Sequence, residues 1–522
     1  MTEPGTPVAE PGRRVRSGSV LVLLAVVGAA LRTAPWWQPH RFLGVQEYDD
    51  GVYYASGRLL ARGLVPYRDV VIVHPPGIAL FMTPFAVLGD LTTDPWGLGA
   101  ARLAVLVVAL ANLLLVHRLT RAVLPAGSPG PLLAAAAYAV CPVIATSERT
   151  VLLEPVVTLL CLLAVTLLLR RPISWRSDLG CGLLLGAAVS VKLFAGTYLV
   201  SVLLALVVLR EAPRAARVAA GAGLALAATC LPFLLLAPQA FVHDVVTTQL
   251  DRPLSGLGGL ARLASMVGLV RVPHLLVAVA LAAFAVLAVR RVLRATGPAR
   301  LALVVLLVTV PSTAAAFLLA STYYPHYGAF LVPPLAVLLA LLWDEANRSA
   351  CGLRRGTLGL ATGALLSVYA VTAAQDALRP GPAPDLSAVR VRVGGACVFA
   401  ETASLAIAAD VLQTPTAACP SWIDGRGVVY TESRGWRGRR GFYDRGFTEN
   451  RAWQAAVHDQ LTHADFLLVG QDLAVVKEWS TGNRSYALQQ FRREESVGGR
   501  GVQLWRRAVP HTDQRPEVPV AP

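Results

Sequence analysis

Long apolar runs recur along most of this chain, and they constrain its fold more than any other feature. A helix needs about 20 apolar residues to cross the hydrocarbon core of a bilayer. Apolar residues make up 55% of the 522 residues and charged residues only 15%, a balance that is unusual for a soluble protein. We therefore predict a polytopic α-helical membrane protein with about eleven transmembrane helices. The predicted spans are 18–35, 98–117, 131–146, 151–169, 179–191, 194–209, 218–237, 274–289, 301–320, 328–344 and 357–375.

The basic residues predict the orientation of these helices. A formal net charge of +15 would suggest a nucleic-acid partner for a soluble chain. Here the arginines concentrate in alternate connections, such as 118–121, 170–176 and 290–300, which the positive-inside rule assigns to the cytoplasm. This predicts a cytoplasmic N-terminus, an exterior first loop and an exterior C-terminal segment, with no nucleic-acid partner. Because only Lys192 and Lys477 are lysines, a bias typical of GC-rich bacterial genomes, we expect a bacterial cytoplasmic membrane.

Hydrophobicity also divides the chain into segments. We predict a cytoplasmic tail over 1–17 and a transmembrane domain over 18–376, whose first exterior loop spans 36–97. After a proline-rich linker, strand-like and helix-like patterns alternate, which predicts a small exterior α/β domain over 384–510. Residues 511–522 are expected to be a disordered tail.

Two cysteines, Cys397 and Cys419, lie in the predicted exterior domain. They are candidates for a disulfide because an exterior compartment is oxidising. The remaining cysteines fall in or beside predicted helices, without the spacing of metal ligands.

Acidic residues and a histidine cluster in the first exterior loop, where two interfacial helices are predicted over 53–62 and 78–88. Asp49 and Asp50 are adjacent, so on a helix they point about 100 degrees apart and only one is expected to face a given substrate. A carboxylate at this place can take the proton of an acceptor hydroxyl. Either aspartate can instead cap the first helix. The loop is thus predicted to be catalytic. His74 lies in the same loop, after the two aspartates.

Three basic side chains are candidates for holding an anion at the membrane surface. Arg68 and Lys192 stabilise phosphate charge, and His74 can donate a hydrogen bond to a phosphoryl oxygen. The alternatives are a solvated interfacial arginine and a histidine in a turn. Lys192 interrupts the apolar stretch 179–210. A charged side chain in such a stretch is usually functional or paired. The alternative is that the Lys192 side chain snorkels to the membrane interface.

Two further charged residues lie near the start of the fourth predicted span. Arg149 either pairs locally with Glu148 or lines a cavity with Glu154.

The chain has no Walker loop, no GxGxxG before a helix, no HExxH and no CxxC pair, so ATP-driven and metalloprotease chemistry are not expected.

Several short segments of the chain form a recognisable set: Asp49-Asp50-Gly51-Val52-Tyr53, Pro66-Tyr67-Arg68-Asp69, His74-Pro75-Pro76-Gly77, Gly186–Lys192 and Tyr323–Pro334. Together they resemble the GT-C superfamily of membrane glycosyltransferases, most specifically in the first exterior loop. The superfamily includes protein O-mannosyltransferases, the lipid A aminoarabinose transferase, and actinobacterial mannosyl- and arabinosyltransferases.

The resemblance implies roles for individual residues. Asp49 matches the catalytic base, and Asp50 stands where a second acid is customary. Donor-phosphate contacts would come from His74, Lys192, Arg68 and Arg149. The other cavity residues would be Glu154, Tyr53, Tyr324 and His326. No metal or other cofactor is expected.

The implied reaction moves a sugar from a polyprenyl phosphate to an exterior hydroxyl, with inversion at the anomeric carbon. The partners would be membrane lipid, the polyprenyl-phosphate sugar, and a glycan, lipid or protein acceptor; mannose, arabinose and other sugars are all compatible. A transporter or flippase of a lipid-linked sugar is the alternative, since an intramembrane lysine beside exterior acids also suits a substrate path. A third possibility, a membrane-anchored binding domain, leaves the first-loop motifs unexplained.

Overall fold

The computed structural model describes residues 11–254, 257–349, 352–421, 424–431, 446–494, 497 and 501–509. The described chain is a polytopic helical membrane protein with a small mixed domain at its C-terminal end. Of the predicted tails, residues 1–10 and 511–522 lie outside this description, and the first helix begins at Pro11, inside the predicted N-terminal tail.

Helices make up most of the described chain up to residue 378. In chain order they are α1 Pro11–Thr33, α2 Tyr48–Ala61, α3 Gly77–Leu91, α4 Asp94–Val123, α5 Gly130–Val140, α6 Pro142–Ser147, α7 Leu153–Leu168, α8 Trp175–Val191, α9 Gly196–Val208, α10 Ala212–Leu236, α11 Pro238–Val242, α12 Thr248–Leu250, α13 Gly259–Met266, α14 His274–Arg294, α15 Gly297–Leu319, α16 Gly328–Ser349 and α17 Gly352–Leu378. Short 3-10 helices cover Ala34–Trp37, Leu193–Ala195 and Pro325–Tyr327, and a π-helical turn covers His243–Thr247.

Six helices in the described part of the chain are long and apolar enough to cross a membrane. They are Ser17–Trp37, Asp94–Val123, Ala212–Leu236, Ala299–Leu319, Pro325–Arg348 and Arg354–Leu378. The other predicted spans are not among these six, and several fall on shorter apolar helices such as α7 and α9, so the total of eleven stays a prediction. Span 131–146 is wrong as one helix, because it breaks between α5 and α6 at Pro142, whose nitrogen carries no hydrogen to donate.

Both interfacial helices predicted in the first loop are present, with shifted ends. The first, α2, begins at Tyr48 rather than at 53, so both aspartates lie in its first turn. The second, α3, covers Gly77–Leu91 and packs closely on α2. The approach is close enough that a β-carbon on Gly57 would lie 2.6 Å from the Met82 β-carbon.

The C-terminal domain contains a four-stranded sheet in the order β1-β2-β4-β3. Its strands are β1 Val398–Ala400, β2 Phe466–Val469, β3 Phe491–Arg493 and β4 Gln503–Arg507. Its helices are α18 Val389–Val393, α19 Ala403–Ala408, α20 Gly425–Thr431, α21 Phe447–Glu449, α22 Arg451–His463 and α23 Thr481–Gln490, with a 3-10 helix at Leu473–Val475.

The sheet mixes two kinds of strand pairing. β1 and β2 are parallel, with Val398 opposite Phe466, and the helices between them supply the long connection that parallel pairing needs. β4 pairs antiparallel with β2 and with β3. The strand-like patterns at 396–400, 466–470 and 502–505 predict three of the four strands, but not β3.

The C-terminal domain packs directly on the first loop. The Ser404 hydroxyl donates to the Glu47 carbonyl over 2.7 Å, at the start of α2. A β-carbon on Gly51 would lie 2.3 Å from the Ser404 hydroxyl oxygen, so only glycine permits this approach. Cys397 and Cys419 are joined by a disulfide beside β1. The contact between Ser404 and α2 places the C-terminal domain beside the first loop, next to the ends of the membrane helices.

Candidate active site

A cavity of about 380 Å³ lies where α2, the ends of the membrane helices and the C-terminal domain meet. Its basic side chains are His74, Arg149, Lys192, Arg252, His326 and Arg426. Its acidic side chains are Glu47, Asp49 and Asp424. Tyr53 and Tyr324, both singled out from the sequence, also line it.

Asp49 projects from the first turn of α2 into this cavity. It does not cap the helix, because the N-cap position is Glu47 and no side chain there accepts a capping hydrogen bond. Among the described residues, none donates a hydrogen bond to the Asp49 carboxylate. Burial raises the pKa of Asp49 above its usual value, and the nearby His326 opposes that rise. Such a carboxyl group is suited to accept a proton.

Asp50 points the other way and is fully buried. Arg102 of α4 donates to its carboxylate over 2.7 Å, and the Thr150 hydroxyl donates to the same oxygen. Asp50 does not line the cavity, which corrects its assignment as a second candidate base. Its bonds instead tie α2 to α4 and to the chain before α7.

Lys192 follows the last residue of α8 and is buried. Its ammonium group pairs with Glu154 of α7 and lies 4.2 Å from the ring centre of Tyr327 and 4.5 Å from that of Phe194. The lysine therefore does not snorkel; it is a paired charge inside the protein. Glu154 itself lies behind Lys192 and is not part of the cavity wall, contrary to its prediction as a lining residue.

His74 and His326 lie near this lysine. The His74 ring meets the Tyr53 ring edge-on, with 5.7 Å between ring centres. Burial, reinforced by the charge of Lys192, lowers the pKa of His74 well below its usual range, so its imidazole is neutral at neutral pH. His326 Nε2 lies 4.0 Å from the Glu154 carboxylate, and its ring stacks on Tyr324.

Arg252 is a cavity residue that sequence reasoning did not assign to the site. Its guanidinium carbon lies 4.9 Å from the ring centre of Tyr430, and one of its nitrogens lies 3.4 Å from the Tyr327 hydroxyl. The sequence places it in a loop more than 50 residues from any recognised motif. Only the tertiary structure brings it beside Lys192.

A second cavity of about 170 Å³ adjoins the first. The two share His74, Lys192, Arg252 and Tyr327. The rest of the second wall is largely apolar, and includes Phe194 and Phe317. Basic side chains thus stand at the junction of a polar and an apolar cavity.

Arg149 and Arg68 differ in position, although both are predicted to bind phosphate. Arg149 lines the first cavity, 3.5 Å from the Glu47 carboxylate rather than paired with Glu148. Arg68 is about half exposed and pairs with its neighbour Asp69 over 2.8 Å. It lines neither cavity, so the structure does not bring it together with the other predicted phosphate ligands.

The C-terminal domain supplies Asp424, Arg426 and Tyr430 to the cavity wall. The Tyr48 hydroxyl of α2 donates to Asp424 over 2.9 Å, which joins the two parts of the protein. The Tyr324 and Tyr430 hydroxyls lie 2.6 Å apart. No sequence signal marks these residues, because their partners are over 100 residues away.

The described residues contain no group of three or more His, Cys, Asp or Glu side chains arranged to hold a metal ion. On the cavity wall Glu47 lies beside Arg149, and Asp424 accepts from the Tyr48 hydroxyl, while Asp49 lies within the influence of the charges of His326, Asp424 and Lys192.

The model of glycosyltransferase family 87 matches residues 73–322, just under half of the chain. This stretch holds His74, Lys192 and Arg252, while Asp49 and the C-terminal domain lie outside it. No curated protein sequence matches the chain.

Solved structures match the chain over almost its full length. The oligosaccharyltransferase AglB from Archaeoglobus fulgidus, solved with an inhibitory peptide and a dolichol-phosphate, is 11% identical, with a TM-score of 0.61 over 93% of this chain and 73% of its own. ArnT from Cupriavidus metallidurans, solved with undecaprenyl phosphate, is 14% identical, with a TM-score of 0.55 over 95% of this chain and 98% of its own. In fold the chain is thus similar to AglB and ArnT, and in sequence its residues 73–322 are similar to glycosyltransferase family 87.

Proposed function

We propose that this protein transfers a sugar from a polyprenyl-phosphate donor to an acceptor hydroxyl, with Asp49 as the general base. One observation carries the proposal: Asp49, a carboxylate without a hydrogen-bond donor among the described residues, shares its cavity with the basic side chains at the junction of the two cavities. A base opposite an anion site is what sugar transfer from a lipid phosphate requires. The family match to a glycosyltransferase supports the same reaction.

The donor phosphate is assigned to the junction of the two cavities. Lys192 and Arg252 carry positive charge there, and neutral His74 can donate a hydrogen bond to a phosphate oxygen. The apolar second cavity then receives the first units of the prenyl chain, and the sugar extends toward Asp49. The lipid carriers bound by the AglB and ArnT structures support a donor of this class.

The chemical step is a single displacement at the anomeric carbon. The acceptor oxygen attacks that carbon while the bond from the carbon to the phosphate oxygen breaks, so the configuration inverts. The acceptor proton passes to the Asp49 carboxylate, and the electron pair leaves with the phosphate. Lys192 and Arg252 stabilise the charge that grows on the phosphate. Because the leaving group is already a charged phosphate, we propose that no cofactor is needed.

The proposed setting is a bacterial cytoplasmic membrane with the cavity on the exterior side. The arginine-rich connections favour this orientation, since they belong to the opposite, cytoplasmic side. The acceptor is then a glycan, lipid or protein that reaches the cavity from outside the cell.

The test compares the native protein with Asp49→Asn in proteoliposomes supplied with a panel of undecaprenyl-phosphate sugars. We expect transfer by the native protein and a loss of about 10²- to 10⁴-fold in Asp49→Asn, with unchanged binding of undecaprenyl phosphate. Asp459→Asn is the matched control, because Asp459 is an exposed carboxylate on α22.

Two results would overturn the proposal. Full activity in Asp49→Asn would show that Asp49 is not the general base. If the native protein consumed no donor while labelled lipid crossed the bilayer, the protein would be a transporter of the lipid-linked sugar.

A further inference from the structure

The wall that the C-terminal domain contributes belongs to the first cavity alone. Asp424, Arg426 and Tyr430 line that cavity, and none of them lines the second. They are thus separated from the apolar cavity to which the donor chain is assigned. The charges nearest Asp49 include His326 and Lys192 from the membrane domain, and Asp424 and Arg426 from the C-terminal domain.

Asp424 is held rigidly but keeps one oxygen for a ligand. It is buried, and its Oδ1 accepts from the Tyr48 hydroxyl over 2.9 Å and from the Gly427 amide over 2.8 Å. No described residue donates to its Oδ2. Because Asp424 lines the first cavity, a ligand hydroxyl there is a natural donor to this oxygen.

Arg426 lies beside this carboxylate and offers donors. Its backbone amide donates to the Tyr48 hydroxyl over 2.9 Å, and its guanidinium carbon lies 4.4 Å from the Tyr48 ring centre. The Glu478 carboxylate lies 3.9 Å from Nε of the same guanidinium. These contacts orient the arginine while its remaining N–H groups are available to a ligand.

A carboxylate acceptor next to a guanidinium donor suits a sugar, because every sugar hydroxyl both donates and accepts a hydrogen bond. From this pair we infer that Asp424 and Arg426 form a carbohydrate subsite for the acceptor, built by the C-terminal domain. The inference rests on the proposed function and adds the chemical class of the acceptor. It makes the C-terminal domain part of the substrate-binding site rather than a separate module.

Binding, rather than turnover, tests the subsite. The full-length protein in lipid nanodiscs, loaded with undecaprenyl phosphate, is titrated with methyl glycosides of the common hexoses and pentoses, and saturation-transfer NMR measures each Kd. We expect at least one glycoside to bind the native protein, and at least tenfold weaker binding to Asp424→Asn. Asparagine keeps the Oδ1 acceptor that caps α20, so the variant is expected to fold.

A second variant and a control complete the design. Arg426→Gln is expected to weaken the same glycoside at least fivefold, and Asp459→Asn is expected to leave its Kd unchanged. No glycoside binding to the native protein, or an unchanged Kd in both subsite variants, would overturn the inference. Failure of the native protein to bind undecaprenyl phosphate would instead count against the proposed function, so the two failures are distinguishable.

Discussion

The two faces of the first turn of α2 carry the same side chain in opposite environments. Asp49 faces a polar cavity, where none of the described residues donates a hydrogen bond to it. Asp50 faces the protein interior, where Arg102 and Thr150 fill its hydrogen bonds. A carboxylate that accepts no hydrogen bond from the protein is available for chemistry. A carboxylate whose hydrogen bonds are all made within the protein instead holds the helix in place.

The largest expected effect is on stability, and it comes from the buried face. Asp50→Asn leaves the Arg102 guanidinium buried without a counter-charge, so we expect a loss of about 3–5 kcal/mol in the free energy of unfolding. Thermal unfolding of the purified protein in detergent measures it. Asp49→Asn is the matched comparison and is expected to keep its Tm. Equal Tm values for the two variants would contradict the assignment of a structural role to Asp50 and not to Asp49.

Lys192→Met tests whether the cavity lysine binds the lipid phosphate or only pairs with Glu154. The change removes a proposed phosphate ligand, so we expect the Kd for undecaprenyl phosphate to rise about 100-fold, the cost of one buried charge-assisted contact. It also leaves Glu154 without its counter-ion. The double variant Lys192→Met with Glu154→Gln should therefore recover Tm but not lipid binding. Recovery of both would make Lys192 a purely structural partner of Glu154.

The pH dependence of transfer tests the cavity face by itself. Asp49 must be ionised to act as a base, and burial raises its pKa, so the rate should fall about tenfold per pH unit once the pH drops below that raised value. Because the folded-state pKa is raised, this group stabilises the fold at low pH and loses that contribution as the pH increases. Unfolding through Asp49 therefore does not explain an acid loss of rate. Parallel profiles of kcat and Tm measure this, and a rate that stays flat through the acid range would argue against a buried base.

Arg68→Gln is expected to have the smallest effect. Its guanidinium is exposed and paired only with the adjacent Asp69, so donor KM and kcat should stay within about twofold of the native values. Arg149→Gln is the comparison, because Arg149 lines the cavity. A loss in Arg68→Gln as large as in Arg149→Gln would mean that the substrate extends beyond the cavity.

Local chemistry explains which site residues the sequence could predict. Asp49, His74 and Lys192 stand in short motifs, or interrupt an apolar run, and all three reach the cavity. Arg68 stands in such a motif as well, yet it bonds to its neighbour instead. A motif shows that a residue is placed near the membrane surface, but not the direction in which its side chain points.

The sequence by itself determined the membrane class, the helical loop that carries the aspartates, and three of the four strands of the C-terminal sheet, because hydrophobic length and periodicity are local properties. Only the tertiary structure decided which aspartate faces the cavity. It also brought Arg252, Asp424 and Arg426 to the cavity wall. Those placements depend on contacts such as Tyr48 to Asp424, across 376 residues, and no local pattern encodes a contact of that range.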